Sequence, residues 1–326
     1  MRRSVMASLF NEDRDGLAPL GKCVAVGVGA LAVSAIASAY MSAKAENDNP
    51  PVGKFAAVDG VRLHYIELGE GEPIVFLHGN GTMLQDFASS GVLDFAAKSH
   101  RVFAFDRPGF GYSDRPADRT WTPAAQAKLF HKAFAQLSIV DPVVVGHSWG
   151  TLVALRLAVD FPKDVARLVL LSGYYYPSAR TDTLVAVPGA IPILGNVIQH
   201  TIGPIIGRLA ANSSIRKMFK PLLVSPKFSA AYSEEMALRP SQLKAVAAET
   251  AMMPAAVATI LEHYKFLKIP VFIFAGDLDD VVDTEAQSLR LHNGLSNSKL
   301  HIEKGVGHMV HHAIPQKIAE ALSASV

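Results

Sequence analysis

Apolar positions fall into two patterns along this chain. Residues 23 to 43 hold no charge at all, and from residue 52 onward short β-branched runs alternate with stretches of helical spacing. The first pattern predicts a single long apolar helix. At about 1.5 Å per residue it just reaches across a bilayer core of about 30 Å. The second pattern predicts strands at 74–77, 101–105, 143–145, 168–171, 270–274 and 299–303, with helices at 123–137 and 152–159. Such alternation implies a mainly parallel sheet with helices on both faces. Ahead of it, residues 55–58 and 61–68 flank Asp59-Gly60, the signature of a β-hairpin.

The alternation stops between residues 174 and 266. No good strand occurs there; helical pieces at 193–200, 205–211, 241–250 and 254–264 are punctuated by eight prolines from Pro177 to Pro254. This predicts a helical insertion, a cap over the sheet. Its many isoleucines, among them Ile191, Ile193, Ile198, Ile205 and Ile206, exceed what an exposed lid needs. They are expected mainly to bury the cap's own core, with some lining an apolar pocket or facing a membrane. The chain thus divides into a leader over 1–22, the apolar segment over 23–45, and one domain over 46–326, entered through a polar linker that ends in Pro50-Pro51.

Composition narrows the partners. The net charge of +2, without a basic stripe interleaved with aromatics, argues against nucleic acid. Cys23 is the only cysteine, which excludes a disulfide framework and a thiolate metal site. Lys and Arg are denser before the apolar segment (Arg2, Arg3, Arg14, Lys22) than just after it (Lys44, Lys54). If residues 23–43 act as an anchor, the domain is expected outside the cytoplasm. The competing readings are a cleaved signal, since Ala43-Lys44-Ala45 offers a small-x-small site before Glu46, and a surface helix.

The candidate chemistry centres on Gly146-His147-Ser148-Trp149-Gly150, which follows the strand at 143–145 and opens a helix. Strand, tight turn and helix with a serine at the turn lift the hydroxyl clear of the sheet, and the N–H of Trp149 sits at a helix N-terminus, where negative charge is stabilised. Three more strands end in polar motifs: His78-Gly79-Asn80-Gly81, then Gly276-Asp277-Leu278-Asp279-Asp280, then Gly305-Val306-Gly307-His308. Serine, acid and histidine in that order, each after a strand, resemble the α/β-hydrolase superfamily over residues 52 to 326. The resemblance implies the α/β-hydrolase fold with an inserted helical cap. It also implies Ser148 as nucleophile, His308 as base, and the backbone N–H groups of Asn80 and Trp149 as an oxyanion hole, with the Asn80 side chain as an optional third donor. Several carboxylates lie in the acid turn. The family's spacing after the glycine points to Asp279, with Asp280 the first alternative and Asp277 and Asp283 as rivals.

His311 and His312 follow His308 closely but lack a carboxylate pattern in the sequence, so no metal is expected, and no cofactor. His78 and His147 are expected to hold loops. The loop from Asp106 to Ser113 reads as scaffolding, and Tyr174-Tyr175-Tyr176 as packing or a substrate contact.

Asparagine in the first loop and tryptophan after the nucleophile resemble haloalkane dehalogenases, which carry aspartate as nucleophile. A serine there would leave an alkyl ether that water cannot open, so Ser148 argues against dehalogenation and for acyl transfer to water. The expectation is a carboxylesterase-like serine hydrolase acting on a small to medium apolar ester. The alternatives are a carbon–carbon bond hydrolase of aromatic degradation, a cofactor-free perhydrolase or iminopeptidase-like enzyme, and a non-catalytic membrane-tethered binding protein on the same fold.

Overall fold

The computed structural model describes residues 6–178 and 181–323, with side chains from residue 26 onward apart from residues 28 and 181. Eight strands form one sheet: β1 Lys54–Val58, β2 Val61–Leu68, β3 Glu72–Leu77, β4 His100–Phe105, β5 Val143–His147, β6 Arg167–Leu171, β7 Val271–Gly276 and β8 Ser298–Glu303. Their order is β1-β2-β4-β3-β5-β6-β7-β8. The first two strands are joined antiparallel by a two-residue turn, with Val58 opposite Val61. Asp59 and Gly60 take φ of 52° and 77° there, the left-handed pair that an Asp-Gly turn supplies. From β4 to β8 every pairing is parallel. The central strands read as unbroken apolar runs because both faces are covered. Two clusters flank the sheet, one around Phe105, Phe130, Leu152 and Ile273, the other around Phe76, Phe87, Val145 and Val169.

Helix Pro123–Gln136 starts where Thr122 accepts the Ala125 N–H and proline occupies the first turn. Helix Gly150–Asp160 follows the nucleophile turn directly. Between β6 and β7 lie Thr181–Ala190, Pro192–His200, Gly203–Phe219, Pro226–Ala231, Glu234–Ala237 and Pro240–Ala258, with a 3₁₀ turn at Leu261–Phe266. The expected break at Pro254 does not occur: it lies inside Pro240–Ala258. Proline removes one N–H bond, but Glu249 and Thr250, one turn earlier, are tied to the sheet side and hold the helix in line. The expected helix at 205–211 likewise runs on to Phe219.

A helix over Met6–Asp48 precedes the sheet. Its later part rests on the insertion. The Ser34 hydroxyl donates to the Thr201 carbonyl at 2.9 Å, Ser38 is buried, and Ala45 packs with Met83 and Met236. Arg239 pairs with Glu46 at 2.6 Å. The expectation of a membrane-crossing helix gains no support from this part of the chain. Among the described residues no single helix is long and apolar enough to cross a membrane. Protein contact from Ser34 onward leaves only residues 23–33 of the uncharged run, about 16 Å of helix against a core of about 30 Å. The side chains of residues 23–25 and 28 lie outside the described set.

Candidate active site

Ser148 stands on the turn between β5 and helix Gly150–Asp160 with φ of 51°, a left-handed conformation that costs a serine energy and is kept by its surroundings. Its N–H donates to the Leu171 carbonyl at 2.9 Å. The flanking glycines are there for want of room. A Cβ on Gly146 would stand 2.6 Å from the Gly150 carbonyl oxygen, and one on Gly150 would run into the Leu77 carbonyl oxygen. The nucleophile turn is therefore pressed against the end of β3, where the His78-Gly79-Asn80 loop begins.

The acid and the base meet across the ends of β7 and β8. Asp279 Oδ2 lies 2.8 Å from His308 Nδ1, with both side chains almost fully buried. Asp279 Oδ1 accepts the backbone N–H groups of Val281 and Val282 at 2.8 and 2.9 Å, which fixes the carboxylate's orientation. With Nδ1 donating to Asp279, Nε2 of His308 keeps its lone pair for a proton. The rival carboxylates are occupied elsewhere. Asp280 faces Lys220 Nζ at 2.7 Å, Asp277 accepts the Gly305 N–H at 2.7 Å, and Asp283 accepts the Ala286 N–H at 2.8 Å. Among the described residues no hydrogen bond joins Ser148 Oγ to His308. Such bonds are often slack before substrate arrives. The two loops are linked instead through His147, next to Ser148, whose Nε2 lies 3.2 Å from the His308 carbonyl.

Trp149 caps the helix after the turn and is wholly buried, so its backbone N–H stands at the positive end of the helix dipole. The Asn80 side chain is not a free third donor, a correction to that part of the expectation. Its Nδ2 donates to Thr250 Oγ1 at 2.9 Å and to the Val246 carbonyl at 3.3 Å, because helix Pro240–Ala258 lies over the loop. Only its backbone N–H remains for an oxyanion.

The loop from Asp106, expected as scaffolding, braces the His78-Gly79-Asn80 loop through Arg107. The Arg107 guanidinium, fully buried, donates to the carbonyls of His78 at 2.7 Å and Gly79 at 3.0 Å, and forms a two-pronged pair with Glu249 at 2.6 and 2.9 Å. Glu249 was not singled out from the sequence. Its one visible signal is that it is the only carboxylate on the helix Pro240–Ala258. His78 Nε2 accepts the Arg107 N–H at 2.9 Å; burial first, then the Arg107 charge, lowers this imidazole to about 3, so it holds the loop as a neutral ring.

Asp86 was also missed. Its Oδ1 receives Nε2 of His311 at 3.0 Å and of His312 at 2.8 Å, and its Oδ2 lies 3.7 Å from His147 Nδ1. Burial alone would raise this carboxyl, but the two imidazoles more than offset it and hold it well below the usual range. Burial and neighbouring imidazoles keep His147 well below its ordinary value. Asp86, His311 and His312 are the described residues that could hold a metal ion, their ligand atoms lying within 4.8 Å of one another. At hydrogen-bond distances, two imidazole N–H groups already satisfy the shared oxygen. Tyr174 and Tyr175 are buried, which favours packing over substrate contact.

A family profile described as alpha/beta hydrolase fold matches residues 72–313. The chain is 26% identical to 2-hydroxymuconate semialdehyde hydrolase of Pseudomonas sp. (strain CF600) over 291 residues, 86% of this chain and 99% of that protein. Among solved structures it is similar to the enol-lactonase of Burkholderia xenovorans LB400, with a TM-score of 0.69 at 20% identity over 83% of this chain and 100% of that one. A bacterial membrane phospholipase A aligns with a TM-score of 0.60 at 18% identity, over 94% of this chain and 96% of that one. The profile match spans most of the domain and includes the serine, acid and histidine turns, and the chain belongs to the α/β-hydrolase fold family.

Proposed function

We propose that Ser148 attacks a carbonyl carbon, with His308 taking its proton and Asp279 orienting the imidazole. The observation that carries this reading is the 2.8 Å contact from Asp279 to His308 beside a serine held at φ of 51°. The oxyanion would form against the N–H groups of Trp149 and Asn80. The bond on the far side of the carbonyl breaks, His308 returns the proton to the leaving group, and water then releases the acyl group from Ser148.

For the bond that breaks, the reading we put first is carbon–carbon. The support is the relative that matches along 99% of its length, a semialdehyde hydrolase. A carbon leaving group departs with its electron pair, so the substrate must carry a second carbonyl, conjugated through the chain, to accept that pair.

One observation favours an apolar ester instead. The cleft beside the triad acid, about 680 Å³, sets Asp277, Asp280, Asp283 and Glu285 against Lys217, which disfavours an anionic substrate.

A vinylogous diketone and a series of aryl esters of graded acyl length, each run with wild type and Ser148→Ala, separate the readings. Diketone turnover that depends on Ser148 and outpaces every ester supports the first. Ester turnover alone replaces it with the second. Failure of an activated phosphonate to label Ser148 would defeat both.

A further inference from the structure

We propose that the insertion's first three helices and the N-terminal helix together form one surface that seats the domain on an anionic lipid bilayer. This goes beyond the hydrolytic reading and does not depend on which bond Ser148 breaks.

Large apolar side chains stand in the open on each of these helices. Val185 on Thr181–Ala190 is 80% exposed, Ile193 on Pro192–His200 is 81%, Leu209 on Gly203–Phe219 is 82%, and Ile36 on Met6–Asp48 is 71%. Single exposed aliphatics are ordinary, but a contiguous group is not. The helices that carry them pack on one another in series, Thr181–Ala190 on Pro192–His200, and Pro192–His200 on both Gly203–Phe219 and Met6–Asp48. Ser34 bonds to Thr201 at 2.9 Å, and a shallow cleft of about 300 Å³ between the two segments is walled by Ala37, Met41, Pro204, Ile205 and Leu209. Helices Asp182–Ala190 and Pro192–His200 are together apolar enough for a membrane, yet they meet at a 96° bend. A bent pair of this length suits immersion at the interface rather than a crossing.

Charge identifies the occupant. Residues 183–233 carry Arg208, Arg216, Lys217, Lys220 and Lys227 and not one Asp or Glu. Two of these cations meet carboxylates from elsewhere, Lys220 with Asp280 at 2.7 Å and Arg208 with Glu235 at 3.9 Å. Asp182 and Glu234 stand just outside the stretch, and Arg216 and Lys217 share a cavity wall with Glu234, Glu235 and Asp280, so the cationic excess is of the segment's own residues. Apolar side chains with Arg208 in the wall of their cleft, on a segment whose own charges from residue 183 to 233 are all cationic, match acyl chains beneath anionic headgroups. A second copy of this chain would bring the same cations to the interface and repel.

The test uses the full chain with Cys23→Ser and a single reporter cysteine at Val185→Cys, Ile193→Cys or, as control, Lys128→Cys on helix Pro123–Gln136. Each carries an environment-sensitive fluorophore. Vesicles of phosphatidylcholine, alone or mixed with phosphatidylglycerol, contain a brominated lipid as quencher. Labels at 185 and 193 should lose most of their emission with the anionic vesicles, while the label at 128 keeps it. Arg216→Glu with Lys217→Glu should lower partition to those vesicles by about tenfold or more. Vesicle-bound protein whose 185 and 193 labels stay bright would overturn the proposal. So would equal partition to neutral vesicles, or protection of these labels by dimerisation in the absence of lipid.

Discussion

Arg107 and Glu249, 142 positions apart, form a fully buried two-pronged pair whose guanidinium also holds the carbonyls of His78 and Gly79. The pair fastens the His78-Gly79-Asn80 loop to the longest helix of the insertion. A buried charge whose partner is removed is far costlier than the intact pair is worth. Glu249→Gln should therefore destabilise the protein by about 3–5 kcal/mol, read as a lower urea midpoint. Arg107→Met with Glu249→Met should recover much of that loss but not the activity, because the His78 and Gly79 carbonyls lose their donor. Recovery of both would mean the pair does not set the loop.

Ser148→Ala and His308→Ala should each lower kcat by several orders of magnitude with the fold intact. The double variant should be no worse than the poorer single one, since the groups act as a unit. Asp279→Asn should be severely impaired, while Asp280→Asn, at the exposed Lys220 pair, should stay near wild type. Steady-state rates on whichever substrate class is turned over check all five.

Gly150→Ala tests the strained turn by volume alone. The added methyl would meet the Leu77 carbonyl oxygen, so the helix start must shift and carry the Trp149 N–H with it. The expected result is loss of turnover by orders of magnitude alongside a stability cost of about 1–3 kcal/mol. Near-normal kcat would show that the turn tolerates displacement.

Acid should unfold this protein early. His78, His147 and His311 are buried as neutral rings, each with its folded value depressed by burial first. A depressed imidazole means that the unfolded chain binds the extra proton below about 6.5, so stability is intact above that pH and is lost as pH falls. The window for His78 runs from its ordinary 6.5 down to about 3. Each ring can remove up to about 1.4 kcal/mol per pH unit across its window. Asp86, also depressed, adds stability that persists until pH falls through its low folded value. Urea midpoints measured from about pH 7.5 to pH 5 should decline, with a shallower slope in His147→Gln. A flat profile would mean that these rings already carry their protons in the fold.

The strands were legible because a buried parallel strand must be apolar on both faces, so 143–145 and 270–274 announce themselves without context. Asp59-Gly60 gave its turn for an equally local reason. The acid was readable as a choice among four, and Asp279 is separated from Asp280 only by which one turns inward to His308. Glu249 and Asp86 were not readable. Their meaning lies in partners more than a hundred positions away, Arg107 for one and the two histidines for the other, and no periodicity encodes such a meeting. Pro254 misled for a related reason: its intrinsic cost is overridden by contacts one turn earlier that only the packed chain supplies.

Parallel pairing runs directly from β6 to β7, with Leu168 beside Val271 and the Ser172 N–H on the Phe274 carbonyl. The sheet is thus continuous before residues 172–270 are considered, and that segment could be exchanged for another without unpicking a strand. Val257 and Tyr264 share the core of the sheet side and Asn80 bonds Thr250, but the sternest constraint on the exchange is a buried charge. Arg107 stays behind in the sheet-side loop, so any foreign segment grafted between β6 and β7 must bring its own carboxylate to the place of Glu249, or the graft inherits a stranded charge beneath its lid.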